Sequence, residues 1–344
     1  MIFLVHNNHS NDPSLNLALE EFCLRRFAPD RLLLLLYVNH AAVIIGRNQN
    51  FFEEVDLAFA ARRNLHLMRR ISGGGAVYHD AGNVNFSFIQ PHHHGSLKDI
   101  RRTIEPVRQA LVNLGVAAEF NAKSDILVDG KKVSGSAQFS NTKRMVVHGT
   151  LLFNSHLNDL RHSLTPNSEV IRSRAPKSEP SAVTNLAGCM AYRIGIDDFR
   201  AHLLRVIAAH SRGLQPVRVS GRDWRCIRRL AHEKYRSWQW NFGKTPAFRI
   251  RRAGETTGAL PAAVIDVEGG RISAIHFENT HEKPGRAGPL EMRLIGAAYH
   301  RQAICAGLSG VDLSGFGPGV TAGQVAKHLC DHVAGGFGPG LQTA

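Results

Sequence analysis

Apolar residues recur along the first third of the chain with two different periods. Leu15, Leu19, Phe22 and Cys23 fall on one helical stripe, Ser10 or Asp12 stands at the N-cap position, and Pro13 opens the first turn. The stripe predicts a helix with Glu20 and Glu21 turned away from it. Residues 32–38 and 42–45 are unbroken apolar runs of strand length, and the longer falls well short of the roughly 20 residues of a membrane span. A helix is expected near 55–63 and a strand at 65–70. Val84-Asn85-Phe86-Ser87-Phe88-Ile89 then alternates with period two, placing Val84, Phe86 and Phe88 on one sheet face and Asn85 and Ser87 on the other.

Further along, a helix near 97–114 ends at Gly115, and strands are expected at 124–128, 131–137 and 145–153, the first two joined by an Asp129-Gly130 hairpin turn. Residues 165–180, rich in Pro, Ser and Arg, read as a loop. Helices near 196–211 and 222–232 follow. The stretch 238–246 marks a boundary, beyond which the chain is Gly-rich with short strands at 262–267 and 272–277 and a helix at 323–333 between two Gly-Phe-Gly-Pro-Gly copies. Runs of strands with helices on one side, lacking strict βαβ alternation, predict an α+β fold with a mixed-sheet domain over 1–246 and a small α+β domain over 247–344.

Hydrophobic residues make up 43% and charged residues 20% of the 344, an ordinary globular balance that excludes a disordered chain. The N-terminus carries no basic leader, and the five cysteines show no CxxC spacing. A disulfide framework and a structural zinc site are both disfavoured, and a reducing cytoplasm is expected. The net charge of +14 implies an anionic partner, steered to the surface by roughly 10- to 1,000-fold at low salt. The basic residues come in scattered pairs without an aromatic platform, so nucleic acid is not expected to be the ligand. His92-His93-His94 reads as a solvated loop, because three adjacent side chains do not converge on one ion.

Three clusters carry candidate chemistry. In Arg69-Arg70-Ile71-Ser72-Gly73-Gly74-Gly75, arginines adjoin three glycines that lead into the strand-like Ala76-Val77-Tyr78-His79. Glycines let backbone N–H groups approach an anion, and a guanidinium matches phosphate oxygens, although a plain structural hairpin remains open. Neither the P-loop nor the dinucleotide fingerprint is present, since both open a helix. In the second cluster, Asp125 precedes Lys131-Lys132-Val133-Ser134-Gly135-Ser136-Ala137. A lysine entering this small-residue strand can neutralise carboxylate and phosphate together, and Asp125 can hold Mg²⁺ with substrate phosphates; an exposed hairpin is the alternative. The third cluster is His148-Gly149-Thr150, where the histidine is either a satisfied interior residue or a site residue.

Taken in order, Gly46-Arg47-Asn48-Gln49-Asn50, the block 69–88, Lys132 to Ala137 and His148-Gly149-Thr150 resemble the lipoate-protein ligase family over most of residues 10–190. The resemblance implies a fold similar to biotin protein ligase and the catalytic core of class II aminoacyl-tRNA synthetases. It implies activation of lipoate by Mg²⁺ and ATP to lipoyl-adenylate, then transfer of the lipoyl group to a lysine of an acceptor. The acceptors would be lipoyl domains of 2-oxoacid dehydrogenase acyltransferase subunits or the glycine cleavage H protein, served by a cytoplasmic monomer with no membrane or nucleic-acid partner. By motif, Arg70, Gly75, Ala76, Val77 and Tyr78 would bind ATP, and Lys132 would bridge the lipoate carboxylate and the α-phosphate. Ser72, Gly74, His79, His148 and Gly149 would lie along the lipoate, with Asp125 as the metal ligand.

Residues 171–186 and 240–246 look closer to the lipoyltransferase branch, some of whose members use preformed adenylate. The rivals are therefore a lipoyl or octanoyl transferase on the same fold, which as a thioester enzyme would need an activated Cys23 or Cys189, and a non-catalytic adenylate-binding module.

Overall fold

The computed structural model describes residues 1–28, 30–92, 100–165, 171–254, 260–278, 288–316 and 319–330. His93, His94, the second Gly-Phe-Gly-Pro-Gly copy and the end of the helix expected at 323–333 lie outside them. The chain divides into two compact units. The first comprises residues 1–47, 68–161 and 179–236, and the second residues 48–67, 162–178 and 237–344.

The strands of the first unit are β1 (Ile2–Val5), β2 (Leu33–Tyr37), β3 (Ala42–Ile45), β4 (His66–Arg69), whose first two residues fall in the second unit, β5 (Val77–His79), β6 (Asn83–Pro91), β7 (Glu119–Phe120), β8 (Ile126–Val128), β9 (Lys131–Ser134), β10 (Ser136–Ser140) and β11 (Arg144–Leu152). After β12 (Ile171–Ser173) of the second unit, β13 (Leu214–Val217) returns to the first. A six-stranded sheet runs β10-β11-β6-β2-β1-β13, antiparallel from β10 to β2 and parallel from β2 to β13. Two small sheets, β4-β3-β5 and β7-β8-β9, complete a mixed α+β architecture.

Period-two alternation decides the layers. Leu34, Leu36, Val84, Phe86, Phe88, Val147 and Leu151 join a core with Ile104, Val107 and Leu111 of the helix Ile100–Val112 and Phe199, Leu203 and Ile207 of the helix Ile196–Ala209. Asn85, Ser87 and His148 lie on the opposite face, where Glu20 of helix α1 (Pro13–Arg25) meets Ser87 and His148. Asp12 is the cap of α1, its carboxylate accepting from the N–H groups of Ser14 and Leu15, with Pro13 in the first turn as expected.

Two expectations are corrected. Glu20 and Glu21 are not turned to solvent; each is at most 3% exposed. Leu17, Ala18 and Leu24 extend the apolar stripe around the helix, so a nearly all-round apolar segment is covered on most sides and its carboxylates must find partners inside. Glu21 accepts from Lys234 Nζ at 2.7 Å and Tyr235 Oη at 2.6 Å, and these hold it below the usual carboxylate range against the opposing effect of burial. The strand expected at 131–137 is broken at Gly135, with β9 pairing β8 and β10 pairing β11. Asp129 and Gly130, at φ 48° and 71°, form the turn between β8 and β9.

In the second unit β12 joins β14 (Phe248–Arg252), β15 (Ala263–Glu268) and β16 (Arg271–Phe277) in an antiparallel sheet. Phe52 packs on Phe242, Phe248 and Tyr299 with ring centroids 5.0–5.9 Å apart. Glu53 and Glu54, both buried, accept from the hydroxyls of Ser173 and Ser178. Among the described residues no helix is long and apolar enough to cross a membrane.

Candidate active site

The loop between β4 and β5 is built around Arg70. Its side chain is 6% exposed, and it donates from Nε to Ser72 Oγ (2.9 Å), from Nη1 to the Ile44 carbonyl (3.0 Å) and from Nη2 to the carbonyls of Gly73 (2.6 Å) and Gly75 (2.8 Å). Burial pushes its guanidinium down to about 10, and the charge of Glu20 opposes that shift. Gly74 has φ +87°, a left-handed conformation that favours glycine. Gly46 allows the loop to close, since a Cβ there would stand 2.1 Å from the Gly74 carbonyl oxygen. Arg47 donates its N–H to the Ser72 carbonyl at 2.8 Å and carries an exposed guanidinium over the ring of Phe139.

The three sequence clusters converge on this loop. A Cβ on Gly74 would lie 3.7 Å from that of Ala137 on β10, and Ala137 is in register with His148 on β11. His148 approaches Ser72 Oγ through Nε2 at 2.7 Å and Glu20 through Nδ1 at 2.9 Å. Glu20 also accepts from Ser87 Oγ, so Arg70, Ser72, His148, Glu20 and Ser87 form one buried chain of polar groups. Glu20 is the member the sequence reading missed. The signal available was a carboxylate in a helix whose apolar residues, with Leu17, Ala18 and Leu24 added to the stripe, reach well beyond one face.

Lys132 sits at the far side of the same junction. Its Nζ is 2.9 Å from Asp125 Oδ1, and its side chain lies across Gly135, where an added Cβ would come within 2.9 Å of Cε and 3.0 Å of Nζ. The backbone of Lys132 is held by the Ala182 carbonyl and the Thr184 N–H. Gly149 lets β11 approach, since a Cβ there would stand 2.5 Å from the Phe86 ring and 2.8 Å from the Gly135 carbonyl oxygen. Asp125, 8% exposed, accepts from Asn121 Nδ2 on its other oxygen. Among the described residues no group of three or more His, Cys, Asp or Glu converges as a metal cage. Asp125 supplies a carboxylate beside the Lys132 ammonium, and one carboxylate shared with phosphates and water suits Mg²⁺.

His79, 5% exposed, ends a second polar chain. Asn16 Nδ2 donates to Asn39 Oδ1, so Asn39 Nδ2 donates to His79 Nδ1 and the ring proton lies on Nε2, a buried atom with no partner among the described residues. Burial, with the charges of Arg70 and His148, pushes the imidazole down to about 3. A group that is neutral when folded but titrates near 6.5 when unfolded binds more protons in the unfolded chain. Its stabilising contribution is thus complete above about pH 6.5 and is lost as the pH falls toward 3. Between pH 6.5 and 5 this one residue accounts for a loss of about 2 kcal/mol. In urea unfolding at the two pH values, His79→Gln should show a difference smaller by about that amount; an unchanged difference would refute the assignment. Val77 and Tyr78 follow the loop in β5, with Tyr78 buried and in register with Val43, and Ala76 half-buried.

The model of the Lipoyl protein ligase A/B catalytic domain matches residues 12–208. The lipoate-protein ligase LplJ of Bacillus subtilis is 36% identical over 323 residues, covering 93% of this chain and 97% of that one. Lipoate–protein ligase 1 of Staphylococcus aureus is 35% identical over 309 residues, covering 90% and 94%. A crystal structure of lipoate-protein ligase A bound with ATP matches with a TM-score of 0.59 and 28% identity over 70% of this chain and 97% of that chain. A structure from the archaeal lipoylation system of Thermoplasma acidophilum, described as a bi-partite ligase and its E2 lipoyl domain, matches at 0.60 and 26% over 70% and 94%. The domain match spans more than half of the chain and the related ligases align over nearly all of it: the chain belongs to the lipoate-protein ligase family.

Proposed function

We propose that this ligase joins lipoate to ATP, forming lipoyl-adenylate and pyrophosphate, and then passes the lipoyl group to a lysine of an acceptor lipoyl domain. The observation that carries the reading is the placement of the Lys132 ammonium, laid over Gly135 and paired with Asp125 where the Gly-rich loop, β10 and β11 meet. In the first step a lipoate carboxylate oxygen attacks the α-phosphorus and pyrophosphate leaves. Two anions must meet, and a fixed ammonium lowers that repulsion most where charge develops. In the second step the acceptor amine attacks the acyl carbonyl, AMP departs, and the amine loses a proton.

On this reading the segment Gly75-Ala76-Val77-Tyr78, with Arg70 beneath it, holds the nucleotide, and Ser72, Gly74, His79, His148 and Gly149 border the lipoate. Asp125 would hold Mg²⁺ together with phosphate oxygens, and the ion would add positive charge at the leaving group. Residues 1–246 carry the catalysis and 247–344 an accessory domain. The acceptor class is supported by the archaeal ligase described with its E2 lipoyl domain. The thioester rival finds no evident nucleophile: Cys23 is buried with its thiol pushed up by desolvation, and the Cys189 thiol faces the Asn185 carbonyl at 3.4 Å. Incubation with lipoate, Mg²⁺, ATP and an acceptor domain should release pyrophosphate and raise the acceptor mass by one lipoyl group. A mass increase without pyrophosphate release would move the protein to the transferase branch.

A further inference from the structure

The hydrogen bonds of Arg70 all run into the protein. Four contacts use Nε and both terminal nitrogens, three of them ending on backbone carbonyls of Ile44, Gly73 and Gly75. In a trans peptide the carbonyl of one residue and the N–H of the next point in opposite directions, and the described chain contains no cis bond. Fixing the Gly73 carbonyl on Arg70 therefore turns the Gly74 N–H away from the guanidinium. The Gly74 carbonyl in turn packs against Gly46, which directs the Gly75 N–H away from β3. Gly73 and Gly74 are exposed, and the N–H groups of Gly73, Gly74 and Gly75 have no acceptor among the described residues. Three unpartnered amides on a loop whose carbonyls are held beneath it make a donor set available to an anion.

We infer that Arg70 is a positioning residue: it aims the loop amides at the nucleotide phosphates and does not ligate the nucleotide itself, while Glu20, joined to it through His148 and Ser72, is its buried counter-charge. A planar fork with five N–H donors can hold two loop carbonyls, a strand carbonyl and a hydroxyl at once. Lysine offers a single nitrogen and cannot span them. Glu20 explains how a full positive charge is tolerated at 6% exposure, since an unpaired charge there would be costly. The identity of the anion rests on the adenylate reading above, but the clasp itself is a property of the protein without ligand.

The test uses the full-length protein with glycine and arginine selectively labelled with ¹⁵N. In the unaltered protein, Mg²⁺ and ATP should shift the Gly74 and Gly75 amide resonances and leave the Arg70 Nε–H in place; a larger movement of Arg70 than of the glycines would overturn the inference. Without ligand, the three glycines should show rigid ¹⁵N–¹H nuclear Overhauser values that fall in both Arg70→Lys and Arg70→Ala. The two variants should lose similar activity, roughly 100-fold in kcat/KM for ATP. Glycines that stay rigid in either variant while ATP binding is lost would show direct ligation instead. If ATP shifts no resonance of the unaltered protein, the adenylate reading fails, and the ligand-free comparison still decides the role of Arg70.

Discussion

Lys132→Ala is expected to give a folded protein that no longer forms the adenylate. The side chain is 28% exposed and the strand β9 is held through backbone bonds to Ala182 and Thr184, so truncation leaves the fold in place. Asp125 keeps its bond from Asn121. On the proposed reading the variant loses the ammonium that would stand between the two reacting anions, worth about 2–4 kcal/mol of barrier, or roughly 30- to 1,000-fold in rate. Rapid-quench detection of lipoyl-adenylate is the measurement, with the melting temperature as the control for folding. Adenylate formation at the normal rate in this variant would remove Lys132 from the chemistry.

Gly46→Ala should have a comparable effect by a different route. The added methyl would have to occupy space 2.1 Å from the Gly74 carbonyl oxygen and 3.1 Å from its carbon, and both are backbone atoms that no rotamer change can move. Either β3 or the Gly-rich loop must shift. Overpacking of this kind costs about 1–3 kcal/mol, and because the displaced atoms belong to the proposed nucleotide loop, ATP binding should weaken more than stability falls. Calorimetric titration with ATP and Mg²⁺, alongside thermal unfolding, separates the two effects. Unchanged ATP affinity would show that the loop does not form the nucleotide site.

The parts of this site that were legible in the sequence are those governed by short-range rules. Alternation at 84–89 placed Ser87 on the face that carries His148, and Asp129-Gly130 announced its turn by composition. The glycine triplet with its arginines located the loop. What stayed hidden depends on which element covers which. Glu20 could be read only as lying off the apolar stripe, because its helix face is defined by a sheet it meets only in the fold, with Ser87 and His148 supplied by β6 and β11. Nothing local distinguishes Arg70, whose donors end on carbonyls, from an arginine reaching for phosphate. The break at Gly135 was equally invisible, since β9 and β10 continue in sequence but pair in different sheets. The parallel pairing of β1 with β13 joins residues about two hundred positions apart, beyond any periodicity in either segment.

Activation of lipoate on ATP is the proposed role of Lys132 and the Gly-rich loop. Exchange of labelled pyrophosphate into ATP, followed with the purified protein and Mg²⁺ in the absence of any acceptor domain, tests it most directly. Exchange should appear only when lipoate is added and disappear in Lys132→Ala. Lipoate-dependent exchange that is absent in the unaltered protein, while preformed lipoyl-adenylate still lipoylates an acceptor, would contradict it.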